Sequence, residues 1–304
     1  MSGAEYESWF VSARDPASPR ALWIRHTRHR PRQGPESAAL WCTVLDRGAG
    51  QRLVPKQVLG ALPPDAAAGP RQFRGGASMG QRAARWDLRV SGGQEALRPL
   101  RPAALYRAPL PRTKLEASVP DGVVTGTLEV DGHRVGVSGW RGTVGHNWGS
   151  EHADTWAWLH AAGFTGAPDC WLELVLARIR LGRARSPWTA FGALSLEGQR
   201  IPLGGLGRRS RVAAQPGQLS AIVAARRARL QLSVSTDDQD AVAVSYADPS
   251  GGHRTVRHAA LAAVRLTVRR SGGRELVLAS SHGAYEFGTS QYIRGIVPES
   301  LPDG

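Results

Sequence analysis

Residues 84–90 read Ala-Arg-Trp-Asp-Leu-Arg-Val, with Ala84, Trp86, Leu88 and Val90 alternating against Arg85, Asp87 and Arg89. A period of two is that of a strand, whose successive side chains point to opposite faces, so this segment is half-buried β-structure. The same alternation returns in Leu230, Leu232 and Val234 against Gln231 and Ser233, and in Val264, Leu266 and Val268 against Arg265, Thr267 and Arg269. Leu128-Glu129-Val130 and Val135-Gly136-Val137 flank Asp131-Gly132, a pair that tolerates the positive φ of a tight hairpin turn. Many short strands separated by Gly, Pro and Asp predict an all-β, antiparallel barrel or sandwich rather than βαβ units. One helix is expected, in the Ala- and Arg-rich stretch from Leu219 to Arg229.

With 304 residues, 41% of them hydrophobic, the chain can bury one large core or two smaller ones. Pro99, Pro102, Pro109 and Pro111 would break ladders between Leu97 and Arg112. A boundary is therefore expected near residue 115, giving an N-terminal β-domain over 1–115 and a C-terminal one over 116–304. The opening residues Met1 to Phe10 carry two glutamates and no basic run, and no apolar stretch approaches the ~20 residues of a membrane span. A soluble, cytoplasmic protein is expected. Cys42 and Cys170 lack a CxxC spacing and read as inert buried thiols, with a disulfide between them left open.

The net charge is +14, yet lysine occurs only at Lys56 and Lys114, and the arginines are spread over every segment. Unclustered charge argues against a nucleic-acid partner, while permitting loose association with an anionic membrane.

Aromatic and polar side chains crowd between 140 and 173: Trp140, His146, Asn147, Trp148, His152, Trp156, Trp158, His160, Trp171 and Glu173. Trp needs a partner for its indole N–H when buried, so such a cluster implies a polar-lined core or a ligand cavity. In the next strand Trp171, Glu173, Val175, Ala177, Ile179 and Leu181 share one face; Leu172, Leu174, Leu176, Arg178 and Arg180 share the other. The arginines mark the second face as the more exposed at that end, so Glu173 points inward. Desolvation would raise its pKa and keep it protonated as a general acid; the other reading is a structural Glu paired with an Arg. His146 reads as a base, an orienting group or a core histidine, and His152 and His160 as surface or loop residues. Without a third ligand at suitable spacing no metal site is expected. Between His282 and Gly288, Glu286 is a reserve acid or part of a solvated face, with Tyr285 on the opposite face. No serine elbow, P-loop or dinucleotide glycine fingerprint is present, which removes ordinary hydrolase and nucleotide chemistry.

The run Gly145-His146-Asn147-Trp148-Gly149, with Ser138-Gly139-Trp140 before it and Trp156-Ala157-Trp158 after it, resembles the superfamily of carotenoid hydratase (hydroxyneurosporene synthase) and tocopherol cyclase. Glu7-Ser8-Trp9-Phe10, Arg20-Ala21-Leu22-Trp23 and the run from Leu110 to Glu116 extend the likeness over much of residues 5–175. The resemblance implies two tandem lipocalin-like β-domains and cofactor-free hydration, cyclisation or isomerisation of a terpenoid or other apolar polyunsaturated molecule. It also admits lipid binding or transfer without chemistry. The family's aromatic-x-acid pair is matched by Trp171 and Glu173, where Tyr-x-Asp is usual, so the proton moves by about one methylene. In that scheme Glu173 is the acid and His146 and Asn147 hold the acid or a water. Trp140, Trp148, Trp156, Trp158, Trp171, Tyr285 and Glu286 would surround the substrate.

Overall fold

The structure, a computed structural model, describes residues 4–270, 272, 273 and 275–299. Strands make up 66% of it, and every strand pairing among the described residues is antiparallel. The first sheet comprises β1 (Glu5–Arg14), β2 (Arg20–Arg30), β3 (Ser37–Asp46), β4 (Gln51–Leu53) and β5 (Lys56–Leu59). It continues with β6 (Ala67–Ala68), β7 (Gln72–Met79), β8 (Arg82–Ser91), β9 (Thr113–Val130) and β10 (His133–Gly149). Its order is β4-β3-β2-β1-β10-β9-β8-β7-β6, with β5 also on β3.

The second sheet begins with β11 (Thr155–Phe164) and β12 (Ala167–Arg178), after which β13 (Arg180–Leu181) and β14 (Ala184–Arg185) form a separate small hairpin. It resumes with β15 (Thr189–Leu196), β16 (Gln199–Gly204), β17 (Arg211–Gln215), β18 (Gln218–Ala224) and β19 (Ala228–Ser235). The last strands are β20 (Ala241–Ala247), β21 (His253–Arg270) and β22 (Glu275–Thr289). The order is β16-β15-β12-β11-β22-β21-β19-β18-β17, with β20 on β21.

Register shifts break the β9–β10 ladder between Val137 and Trp140 and around Val144, and the β21–β22 ladder between Ala259 and Val264. Such bulges bend and twist a sheet, and here each sheet curls into a half-barrel over its own core. Val11, Leu22, Ile24, Leu88, Trp140 and Val144 fill the first; Leu159, Leu172, Leu174, Leu176, Leu232 and Leu266 fill the second. Burying each leucine contributes roughly 2 kcal/mol. The opposite faces then pack on one another, Phe10, Trp23 and Trp41 meeting Trp156, Trp158, Tyr246 and Val256. Both faces of the central strands are therefore buried. Alternation along β12 sends Leu172, Leu174 and Leu176 into the second core, not toward solvent, and Glu173 and Val175 toward the first sheet.

Two expectations change. The chain passes from the first sheet to the second between Gly149 and Thr155, so residues 116–149, assigned to the C-terminal half, supply most of β9 and all of β10 in the first sheet. The prolines of 97–112 interrupt a loop within that sheet's connections. The stretch Leu219 to Arg229 is the β18–β19 turn region, not a helix: Leu219, Ala221 and Val223, then Leu230, Leu232 and Val234, reach the second core only at period two. Burial overrides the local Ala and Arg propensity. Cys42 and Cys170 are free and buried, one in each core. Among the described residues no helix is long and apolar enough to cross a membrane.

Candidate functional site

Between the packed faces of the two sheets lies a cavity of about 380 Å³. Phe10 and Trp23 come to it from β1 and β2, Trp156 and Trp158 from β11, and Val175 and Ala177 from β12. A few polar groups interrupt this apolar lining, chiefly Arg25, Asn147, His152, Glu173, Tyr246 and Glu286. An apolar hollow with sparse convergent polar groups is the usual form of a small-molecule site.

The Trp-Ala-Trp run of β11 organises its acids. Trp156 and Trp158 stand on the cavity face while Ala157 turns to the core. Trp158 donates its indole N–H to Glu173 Oε1 on β12, and Trp156 donates to Glu286 Oε1 on β22 at 2.8 Å. From there the two carboxyls diverge. Glu286 Oε2 also accepts from the Tyr246 hydroxyl at 2.8 Å and lies 3.4 Å from His258 Nδ1. Burial alone would raise the Glu286 pKa, but His258, the Arg25 charge and Trp156 outweigh it and hold the carboxyl below its ordinary value. Glu173 Oε2 has no hydrogen-bond partner among the described residues. Burial pushes its pKa up to about 8, against the weaker pull of Trp158 and the Arg14 charge. At neutral pH the cavity thus holds one protonated and one ionised carboxyl.

Glu173 forms no ion pair among the described residues. The nearby Arg14 guanidinium is spent elsewhere, Nε donating to Ala260 O at 3.1 Å and Nη2 to Ser12 Oγ at 2.6 Å. Its Nη1 lies 3.3 Å from His160 Nδ1, and His160 Nε2 lies 3.0 Å from Pro120 O. The carbonyl can only accept, so Nε2 carries the hydrogen and Nδ1 accepts from Arg14: a neutral imidazole. Burial and Arg14 hold its pKa well down. His160, expected at the surface, is therefore a fully buried residue opposite Glu173 in the β11–β12 register. His152, expected as a surface or loop residue, does lie in the loop between β10 and β11, where it lines the cavity and stacks on Tyr6 at 4.0 Å. Glu286 is buried rather than solvated.

Glycines let two aromatics lie flat against neighbouring strands. A Cβ on Gly145 would sit 2.2 Å from the Phe10 ring, and one on Gly288 would sit 2.1 Å from the Trp156 ring.

The predicted residues separate into two groups. Asn147, Trp156, Trp158, Glu173 and Glu286 line the cavity. His146, next to Asn147, points to the other face of β10, where its ring lies between Trp9 (3.9 Å) and Trp148 (4.6 Å) and Nε2 is 3.0 Å from Glu7 Oε1. Burial lowers its pKa although Glu7 opposes this. Trp148 stays on that face, stacked also with Tyr106 at 6.1 Å. Trp140 lies in the first core, with Arg20 5.5 Å over its ring. Trp171 shares the Glu173 face, but beyond the cavity, among Leu97, Ala117, Ala162 and Ala193. Tyr285 lies in the second core, its hydroxyl donating to Gln215 O at 2.9 Å. Residues not anticipated at the site are Phe10, Trp23, Arg25, Tyr246 and His258. The Val242, Val244, Tyr246 alternation was a usable signal for one of them; a strand arginine such as Arg25 reads as exposed.

No protein-family model matches the chain. Uncharacterized proteins from two strains of Mycobacterium tuberculosis are each 27% identical to it over 311 residues, covering 98% of this chain and 89% of theirs. Among solved structures, CghA with Sch210972 aligns at TM-score 0.53 and 15% identity, over 94% of this chain and 88% of its own. A provisionally assigned AttH of Nitrosomonas europaea gives 0.53 and 14%, over 94% and 92%. Kievitone hydratase of Nectria haematococca gives 0.50 and 11%, over 95% and 89%. The fold is lipocalin-like. That agrees with the tandem arrangement the Gly145–Gly149 run implies, while the nearer likeness to carotenoid hydratase and tocopherol cyclase rests on the short motifs alone.

Proposed function

We propose that this protein is a cofactor-independent hydratase, cyclase or isomerase acting on an apolar polyunsaturated molecule of terpenoid type, with Glu173 as the proton donor. The observation that carries this reading is a buried carboxyl in an apolar cavity, held by the Trp158 indole N–H and without an ion pair among the described residues; that burial raises its pKa and favours the protonated form. Protonation of an alkene carbon by Glu173 leaves a carbocation and the Glu173 carboxylate. Trp23, Trp156 and Trp158 line the same space, and an indole ring presented to the cation would stabilise it by up to ~2 kcal/mol when desolvated. Glu286, already ionised, takes the second proton. In an isomerisation or cyclisation it comes from the carbon next to the cation; in a hydration it comes from the attacking water. Solvent then restores both carboxyls. Two carboxyls with pKa values driven apart are the recurring arrangement for such acid and base roles. Asn147 orients substrate or water, while His146 supports the strand from its far face. That a protein of this fold, kievitone hydratase, is a hydratase is consistent with this chemistry.

The test is to incubate the wild type and Glu173→Gln with a cellular lipid extract and compare bound and released species by mass spectrometry. A species altered by the mass of water, or shifted in retention at constant mass, with wild type only, supports acid catalysis. The same unchanged lipid recovered from both would make the protein a binding or transfer protein instead.

A further inference from the structure

Three chain segments meet at the mouth of the cavity: the loop 99–112, the β13–β14 hairpin and the loop 205–210. Leu181 and Leu206 line the cavity yet are 47% and 56% exposed, which places them on its rim. The backbone N–H of Leu206 donates to Arg101 O, tying the third segment to the first. On the same segments Arg101, Arg107, Arg183, Arg208 and Arg209 are exposed, and none forms an ion pair among the described residues. Acids beside these segments are already paired, Asp154 with Arg180 and Arg185, Glu151 with Arg112 and Glu116 with Arg98. The +14 charge, evenly spread in sequence, thus has an unbalanced share at the mouth.

We infer that this mouth is a docking surface for an anionic lipid membrane, from which an apolar molecule passes into the cavity without crossing water. The inference rests on the reading that the cavity takes such a molecule. A nucleic acid would account for unpaired guanidinium groups but not for leucines standing among them, and a protein groove would account for the leucines but not the unbalanced charge. A bilayer with acidic headgroups matches both: phosphates accept from the arginines while the leucines enter the acyl boundary.

Vesicle flotation without any substrate tests it, comparing phosphatidylcholine vesicles with vesicles that also contain phosphatidylglycerol. The wild type should float with the anionic vesicles only, and less as salt rises. The pair Arg208→Glu with Arg209→Glu, and separately Leu181→Asp with Leu206→Asp, should each lower the bound fraction at least about tenfold. Arg226→Glu with Arg227→Glu, the same charge change in the exposed β18–β19 turn, should float like the wild type, as should Glu173→Gln. Equal flotation with neutral vesicles, no flotation at all, or an equal loss in the Arg226 and Arg227 pair would overturn the inference. So would duplex DNA retention by the wild type, lost in the mouth variants, without vesicle binding. Because no turnover is read, failure here is separate from failure of the proposed chemistry.

Discussion

Trp158 and Glu173 lie diagonally across the β11–β12 pair, and the indole N–H of the first donates to the carboxyl of the second. Trp156 repeats the contact toward Glu286 across β11–β22. One donor type thus serves two carboxyls of opposite protonation state. What separates them is the remainder of each environment: His258, Tyr246 and Arg25 around Glu286, and around Glu173 only the weaker pull of Arg14 and Thr143, with no second hydrogen bond among the described residues.

Stability should carry the signature of Glu173. Its folded pKa, about 8, exceeds the ordinary 4.5, so between these values the folded state binds more protons than the unfolded one. Stability from this group is complete below about pH 4.5 and is lost as pH rises toward 8, by up to roughly 4 kcal/mol. Denaturant midpoints measured from pH 5 to 8 should fall in the wild type, and the slope should flatten in Glu173→Gln. Parallel slopes would show that Glu173 ionises normally.

The pH dependence of turnover follows from the same pair. Activity requires Glu173 protonated and Glu286 ionised, so kcat/KM on the substrate recovered from extract should be flat near neutrality and decline above about pH 8. Tyr246→Phe removes a hydrogen bond to Glu286 Oε2 and should raise the acid-side limb without moving the alkaline one. A shift of the alkaline limb instead would mean that the two carboxyls exchange roles.

How far the sequence reaches is visible strand by strand. Period two in residues 84–90 and 230–234 suffices for the all-β fold, and the same period places Glu173, Val175 and Ala177 on one face of β12. Which face meets the cavity is harder to read, because both faces of the central strands are buried and polarity no longer separates inside from outside. Arg14 at 1% exposure and Arg25 at 4% break the rule that strand arginines are solvated. In β10 the register shifts at Val137/Trp140 and beside Val144 decide which of His146 and Asn147 reaches the cavity. A one-residue slip exchanges the faces, and nothing local in Gly145-His146-Asn147 encodes it.

Trp140 and Trp156 provide a direct comparison of core with wall. Both are buried, and Trp→Ala at either should cost about 3–5 kcal/mol. The milder Trp→Phe changes should diverge. Trp140→Phe should leave affinity for an apolar fluorophore unchanged, since its ring packs in the first core. Trp156→Phe should weaken or re-order binding and shift the Glu286 limb of the pH profile, since it loses the indole N–H. Equal effects of the two on the fluorophore would place Trp140 at the site after all.

Gly145 sets the shape of the cavity through Phe10. The β1–β10 register places them directly opposite, and Phe10 meets Trp158 edge-on, 5.3 Å between ring centroids. A methyl group at position 145 would overlap the phenyl ring, with its nearest atom 2.2 Å away, so the ring must move off the strand toward the cavity. Gly145→Ala should therefore lower stability by about 1–3 kcal/mol and exclude the bulkier of a series of apolar ligands. Combining it with Phe10→Leu should recover part of both, because the smaller side chain leaves room for the methyl. Calorimetry and displacement of a bound fluorophore read the two effects separately. A double variant no better than Gly145→Ala alone would show that the strain falls on the β1–β10 backbone and not on the cavity wall.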